Sequence, residues 1–349
     1  MKGNRDKTRK ASINRTTSLK MNSSLSGLRE SAVLCYSSLN NSCPRTVYLL
    51  PVRLCLYFLF TTIAILTVSG NLLVIFVILL SQNPLLAATN HLILSLSVAG
   101  VLIGGFVMPH SMVRSIETCW YFGVFFCEFH TTVDIVLCNT TMWHLTFISV
   151  DRYLAIFHPM RYRNLMTNKT SATMISSSWG LALVFGFAIV ISNPEVKIMD
   201  ASYKSCVGGC FSLHAREIGV EYSIIFYFIP VCVIITVYSR IFFVAQRHAR
   251  VIHSSNKGPK HSAPFTAKDL KATKTLVVVV GTFLFCWTPF FMCNIIDPLI
   301  GHSIHSVLYE SLMWVAYLNA MLNPLIYVFF YSWFRKTAKV LLSKLFMQM

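Results

Sequence analysis

The stretch "DIVLCNTTMWHLTFISVDRY", residues 134–153, is apolar and long enough to be a membrane helix, yet an aspartate stands near each end of it. A carboxylate near mid-membrane costs at least ~2.5 kcal/mol, so each of the two needs a partner or a task. At 1.5 Å of rise per residue, Asp134 and Asp151 stand roughly 25 Å apart, most of the apolar thickness of a bilayer. The two carboxylates therefore serve opposite faces of the membrane.

Outward from this helix, the composition is that of a polytopic membrane protein. Apolar residues make up 55% of the chain and charged ones 12%, about half the charge of an ordinary soluble domain. Apolar runs of spanning length fall near residues 54–80, 87–112, 127–156, 172–193, 218–245, 270–296 and 307–331. They predict an all-α membrane protein, a seven-transmembrane-helix bundle. Sixteen Lys/Arg lie in 151–170, 240–274 and 335–344, against Arg114, Lys197, Lys204 and Arg216 in the other three loops. The positive side faces the cytosol, which puts the N terminus outside and suits a multi-pass protein of the plasma membrane.

Three parts are expected: an extracellular, disordered and glycosylated segment at 1–53, the transmembrane domain at 54–331, and a cytoplasmic amphipathic helix with its tail at 332–349. Asn14, Asn22 and Asn40 head N-x-Ser/Thr sequons in the first part. Ten Lys/Arg in the same segment sit on the side that should be poor in them, eight at or before Arg29, where distance weakens their pull. They form either a solvated basic arm or a stretch ahead of a start at Met21. In the third part Phe334, Ala338, Leu341 or Leu342 and Leu345 recur at helical spacing with lysines between them, suited to the inner leaflet. No cysteine follows Cys293 to carry a palmitoyl chain. The net charge of +17 is read as the cytosolic face beside anionic membrane lipid plus the basic arm, with no nucleic-acid partner.

Short motifs recur from helix to helix. Gly70 and Asn71 lie in the first, "DRY" at 151–153 ends the third, and Trp179 sits in the fourth. Pro230 follows in the fifth, "FCWTP" at 285–289 in the sixth and "NPLIY" at 323–327 in the seventh. In this order they resemble rhodopsin-like G-protein-coupled receptors. The stretches "SMVRSIETCWYFG", "SVDRYLAIFHPMRY", "SCVGGC" and "NAMLNPLIYVFFYSWFRK" are similar to those of trace amine-associated receptors, with Ala320 in place of a serine. The resemblance covers about residues 35 to 346.

That resemblance implies a role for each marked residue. Asp134 would hold the ammonium of an amine ligand, since a carboxylate in a partly dehydrated cavity pairs with a cation far more strongly than in water. The plainer reading is an aspartate bonded to a neighbouring hydroxyl, such as one in the seventh helix. Trp287, Phe290, Phe291, Trp314 and Tyr317 can supply aromatic faces for cation–π contact, or can simply pack. Among them, Tyr317 is where the family sets a tyrosine against the ligand aspartate. On the cytosolic side Asp151 would restrain Arg152, within a switch that includes Tyr153, Asp269, Asn323, Pro324 and Tyr327. Outward swing of the sixth helix about Pro289 would then free Arg152 and open a cleft for a G protein, with a stimulatory type expected.

Cys55, Cys138, Cys232, Cys286 and Cys293 fall in spans, leaving Cys35, Cys43, Cys119, Cys127, Cys206 and Cys210 on the side that permits disulfides. Sequence alone leaves their pairing open. The resemblance pairs Cys127 with Cys210 and Cys43 with Cys206. It also expects an aspartate where Gly100 stands and a serine where Ala320 stands, two members of a sodium-binding cluster, so a dismantled sodium site is expected.

Enzyme chemistry is not expected: no H-E-x-x-H metal pair and no nucleophile with a base stands in the spans, and neither cofactor nor metal is implied. A lysine for a retinal Schiff base is missing from the seventh span. Glu310 precedes Tyr317 by two turns on the same side of its helix, and outer acids outnumber the outer-loop bases. The expected ligand is therefore a diamine or polyamine held by Asp134 and Glu310, sensed by an olfactory receptor. Rim exposure of Glu310, or Glu221 as a rival anchor, are the competing placements, and the alternative receptor is one for a monoamine such as serotonin or a phenethylamine.

Overall fold

The computed structural model describes residues 33–39, 41–80, 87–191, 206–210, 216–254, 267–301, 303–330, 334–335, 337–338, 340 and 343. Seven of its helices are long and apolar enough to cross a membrane. They are α1 (Leu50–Leu79), α2 (Ala87–Leu102, continuing through Ile103–Val107 into Met108–Glu117), α3 (Val124–Phe157) and α4 (Asn168–Ile191), followed by α5 (Arg216–Ser223, continuing through Ile224–Phe228 into Ile229–Ser254), α6 (Ala267–Leu299) and α7 (Ser306–Phe330). The first begins at Leu50 rather than at 54, with Pro51 in the opening turn, where its missing N–H has no helical partner to lose. Helix α3 runs through the bundle and packs on α2, α4 and α5. Phe334, past the end of α7, is helical and 1% exposed, and its side chain belongs to the bundle's apolar core. The basic arm and the sequons at Asn14, Asn22 and Asn40 lie outside the described residues.

Two spans are interrupted by a π turn, Ile103–Val107 in α2 and Ile224–Phe228 in α5, each just ahead of a proline, Pro109 or Pro230. Proline has no N–H to give and crowds the carbonyl one turn back, and a wider turn absorbs the misfit. One extra residue in a turn rotates everything beyond it by about 100°. Above the α2 bulge, Ser111 and Ser115 face α7, where they touch Tyr317 and Glu310 respectively.

Small residues let α1 close on α2. A Cβ on Gly100 would stand 2.6 Å from atoms of the Asn71 side chain, and one on Gly104 would stand 2.9 Å from Val68. Asn71 occupies the space that a larger residue at position 100 would need, and its amide donates to the carbonyls of Thr67 (2.8 Å) and Ala320 (3.0 Å), joining α1 to α7.

The end on which the N-terminal segment packs is called upper below. Three disulfides gather there: Cys43–Cys206, Cys127–Cys210 and Cys35–Cys119. The segment also exchanges backbone bonds with the chain near Val207, through Cys43 N to Val207 O (3.0 Å) and Val207 N to Asn41 O (2.7 Å). Buried Glu117, at the end of α2, receives the guanidiniums of Arg45 and Arg53 and the Tyr57 hydroxyl (2.7 Å). This segment is thus clasped to the bundle covalently and ionically.

Candidate functional site

Ten residues, nearly three turns, below the start of α3 at Val124, Asp134 is 7% exposed. The Tyr317 hydroxyl of α7 donates to its Oδ2 at 2.6 Å, and the Cys138 thiol approaches Oδ1 at 3.3 Å. Because the phenol's one proton goes to the carboxylate, Ser111, 3.2 Å from the same oxygen, donates to it in turn. Among the described residues Asp134 has no cation within ion-pairing distance. A nearly dry carboxylate is oriented by one strong donor and keeps acceptor capacity for another.

Glu310 is placed differently from the expectation. Arg114 Nε stands 3.0 Å from its Oε1 and Nη2 3.5 Å from Oε2, and the Ser115 hydroxyl donates to Oε2 as well. Arg114 had been counted as an outer-loop base, but α2 continues to Glu117 and presents Arg114 to α7. The surplus of outer acid shrinks further, since Glu117 is matched by Arg45 and Arg53. Asp297 accepts the backbone N–H of Ile304 (2.9 Å). Glu221 is exposed, while its neighbours Tyr222 and Ser223 are buried. Glu195 and Asp200 lie outside the described residues.

The aromatic residues divide into two groups. Trp287, Phe290 and Phe291 are buried in one cluster with Tyr222 and Tyr227, with Tyr227 stacked on Phe291 at 4.6 Å. Trp314 turns away from it: its indole lies flat on Phe60 of α1 at 3.7 Å and donates to Ser115 (3.0 Å). Tyr222 and Asn139 were not marked by the sequence reading, yet the Tyr222 hydroxyl donates to Asn139 Oδ1 at 2.9 Å in the same buried region.

At the lower end, fully buried Asp151 accepts from Thr89 (2.7 Å), Tyr162 (2.7 Å) and Arg152 Nε (2.8 Å). Arg152 also reaches Thr89 and Tyr162. Burial, together with the Asp151 carboxylate, pushes the Tyr162 phenol up, which keeps it a donor. Tyr153 packs on Phe157 at 4.6 Å, and Asn323 and Tyr327 are buried beside Pro324 in α7. The Asp269 side chain lies outside the described residues.

Residues 70–327 match the family described as 7 transmembrane receptor (rhodopsin family). The chain is 40% identical to mouse (Mus musculus) trace amine-associated receptor 1 over 322 residues, 90% of this chain and 96% of that protein. Identity to mouse trace amine-associated receptor 7d is 40% over 320 residues, 90% of this chain and 89% of the relative. For rat (Rattus norvegicus) trace amine-associated receptor 8b it is 41% over 319 residues, 89% and 92% of the two chains. The chain belongs to the trace amine-associated receptors, within the rhodopsin family.

A receptor of this family couples a small-molecule ligand to a G protein and performs no chemistry of its own. In this trace amine-associated receptor, Asp134 and the Asp151–Arg152 cluster sit on one continuous helix, seventeen residues apart. The bridge Cys35–Cys119 was not expected from the resemblance. Among six outer cysteines, only the pairing of the other four could have exposed it, by leaving these two over.

Proposed function

We propose that this receptor is activated by an amine whose single ammonium docks on Asp134, and that it signals through a stimulatory G protein from the plasma membrane with its upper end outside. The observation that carries this is a carboxylate buried in the upper third of α3, bonded to Tyr317 and without a cation partner among the described residues. A charge kept in such a place calls for a mobile counter-ion. The diamine expectation weakens, because a second ammonium at Glu310 would first have to displace Arg114 from a two-contact ion pair. A monoamine of the phenethylamine or tryptamine kind fits the single vacant carboxylate and the buried aromatic cluster better. An olfactory role, and glycosylation at Asn14, Asn22 and Asn40, belong to the same reading.

The test is Asp134→Ala in cells carrying a cyclic AMP reporter, screened against mono-, di- and polyamines. Loss of one partner of a dehydrated ion pair costs on the order of 3–5 kcal/mol, a hundredfold or more in potency. Surface staining must stay at the wild-type level. A variant that reaches the surface and keeps its potency ends the aminergic reading.

A further inference from the structure

His110 of α2 and His130 of α3 stand with ring centroids 5.7 Å apart. Each ring is fixed by one backbone carbonyl of α2: His110 Nδ1 is 2.7 Å from the Phe106 oxygen, and His130 Nε2 is 3.1 Å from that of Val107. A carbonyl only accepts, so the contacting nitrogen of each ring carries its proton. In the neutral rings the opposite nitrogen, His110 Nε2 or His130 Nδ1, is a lone pair. His130 is 0% exposed, and its Nδ1 has no hydrogen-bond partner.

Packing explains the rings of Phe106, Trp120 and Phe126 around this pair. It does not explain a buried lone pair, which is costly to leave unmatched. An imidazole whose other nitrogen donates to a carbonyl is the arrangement that orients a metal-ligating histidine. Two imidazoles sharing a tetrahedral ion at ~2.0–2.1 Å have ring centres about 5.3 Å apart, close to the spacing seen. Among the described residues no group of three or more His, Cys, Asp or Glu is placed to hold a metal, so the rest of the coordination shell would be water. The charged groups acting on His130 are Asp134, one turn along α3, and Arg114, with His110 as the other titratable neighbour. Arg114 is matched by Glu310, which leaves the Asp134 carboxylate to attract a cation.

We propose that His110 and His130 bind a borderline divalent cation of the Zn2+ or Cu2+ kind, and that the bound ion opposes an ammonium at Asp134. Imidazole suits these ions. A second positive charge one turn from the anchor raises the free energy of the first. The ion site stands on the histidine geometry alone; its effect on signalling rests on the amine reading above.

The purified full-length receptor is titrated calorimetrically with Zn2+, beside His110→Gln and His130→Gln. In the latter, the glutamine amide can still donate to the Val107 carbonyl. Each variant should lose one equivalent of zinc binding, and His130→Cys, which restores a ligand, should recover it. Binding retained in both glutamine variants overturns the site. Should those variants fold poorly, Co2+ added to the wild-type receptor gives the answer by itself: visible bands of tetrahedral nitrogen coordination, removed by Zn2+, support the site, and a purely octahedral aqueous spectrum overturns it. In cells, saturating Zn2+ should shift the amine dose–response to about tenfold higher concentration in the wild type and leave both glutamine variants unshifted. Zinc binding without that shift overturns the opposition to the ammonium. Absence of any amine response overturns the amine reading alone, because calorimetry decides the ion site independently.

Discussion

Arg114→Gln removes the cation that Glu310 now holds and should turn a receptor indifferent to a second ammonium into one that prefers it. Ser111 touches the Tyr317 hydroxyl that is bonded to Asp134, while Ser115, four residues on, donates to Glu310. The two contacts are one turn apart on α2, ~6 Å along its axis, and Glu310 and Tyr317 are two turns apart on α7, ~10 Å, a span for a linear diamine to bridge. In the Arg114–Glu310 pair the side chains are 15% and 26% exposed. Fully exposed pairs contribute about 0.2–1 kcal/mol and desolvated ones more, so a diamine ammonium replacing Arg114 should gain about 1–2 kcal/mol, roughly 5–30-fold in potency. The assay is a cyclic AMP dose–response for linear diamines of increasing length and their monoamine counterparts. It compares wild type, Arg114→Gln, and Arg114→Gln combined with Glu310→Gln. The gain should appear for diamines in the single variant and vanish in the double. If diamines already outdo monoamines on the wild type and lose that advantage in Glu310→Gln alone, the ion pair opens for the ligand and the single-ammonium reasoning fails.

Replacing sodium with a bulky organic cation should leave agonist potency unchanged, because the Asn71 side chain fills the space above Gly100; a clear sodium shift in ligand binding counts against this. Gly100→Asp should lower surface expression and the melting temperature rather than restore a sodium effect, since even its Cβ would meet Asn71 at 2.6 Å. The paired change Cys35→Ser with Cys119→Ser opens a bridge spanning 84 residues; a loss of about 2–5 kcal/mol is expected, read as a lower melting temperature of the purified receptor, and an unchanged melting curve would remove the clasp from the stability argument. Tyr162→Phe deletes one donor to buried Asp151, a loss of about 1–3 kcal/mol. Higher ligand-free signalling is the expected readout, and unchanged basal cyclic AMP would show that this bond does not restrain the lower end.

Much of this was legible in the sequence for a simple reason. Membrane spans are set by length and hydropathy, and both are local properties. Asp134 was legible because an ionisable side chain deep in a span is conspicuous in hydrocarbon, and Tyr317 because the resemblance sets a tyrosine at its position. What escaped depended on rotation about helix axes and on pairing across space. The π turn before Pro109 turns Ser111 and Ser115 toward α7, and a straight 3.6-residue projection cannot anticipate it. Arg114 read as a loop base because hydropathy fell before the helix ended, although backbone hydrogen bonding carries α2 on to Glu117.

Gly100 marks the same boundary most clearly. Its missing carboxylate could be read against the family resemblance, which with Ala320 implied that a polar cluster had lost two members. What fills the space beside Gly100 could not be read, because it comes from another helix: the Asn71 side chain of α1 lies there and bonds the carbonyl of Ala320, at the second altered position. The Asn71 amide donates, and a backbone oxygen of α7 is the acceptor. The α1–α7 contact is held by a neutral hydrogen bond, beside a position where the resemblance sets an ion-binding cluster and this sequence lacks two of its members. This receptor's resting state should for that reason depend on packing between α1, α2 and α7 rather than on a bound sodium ion.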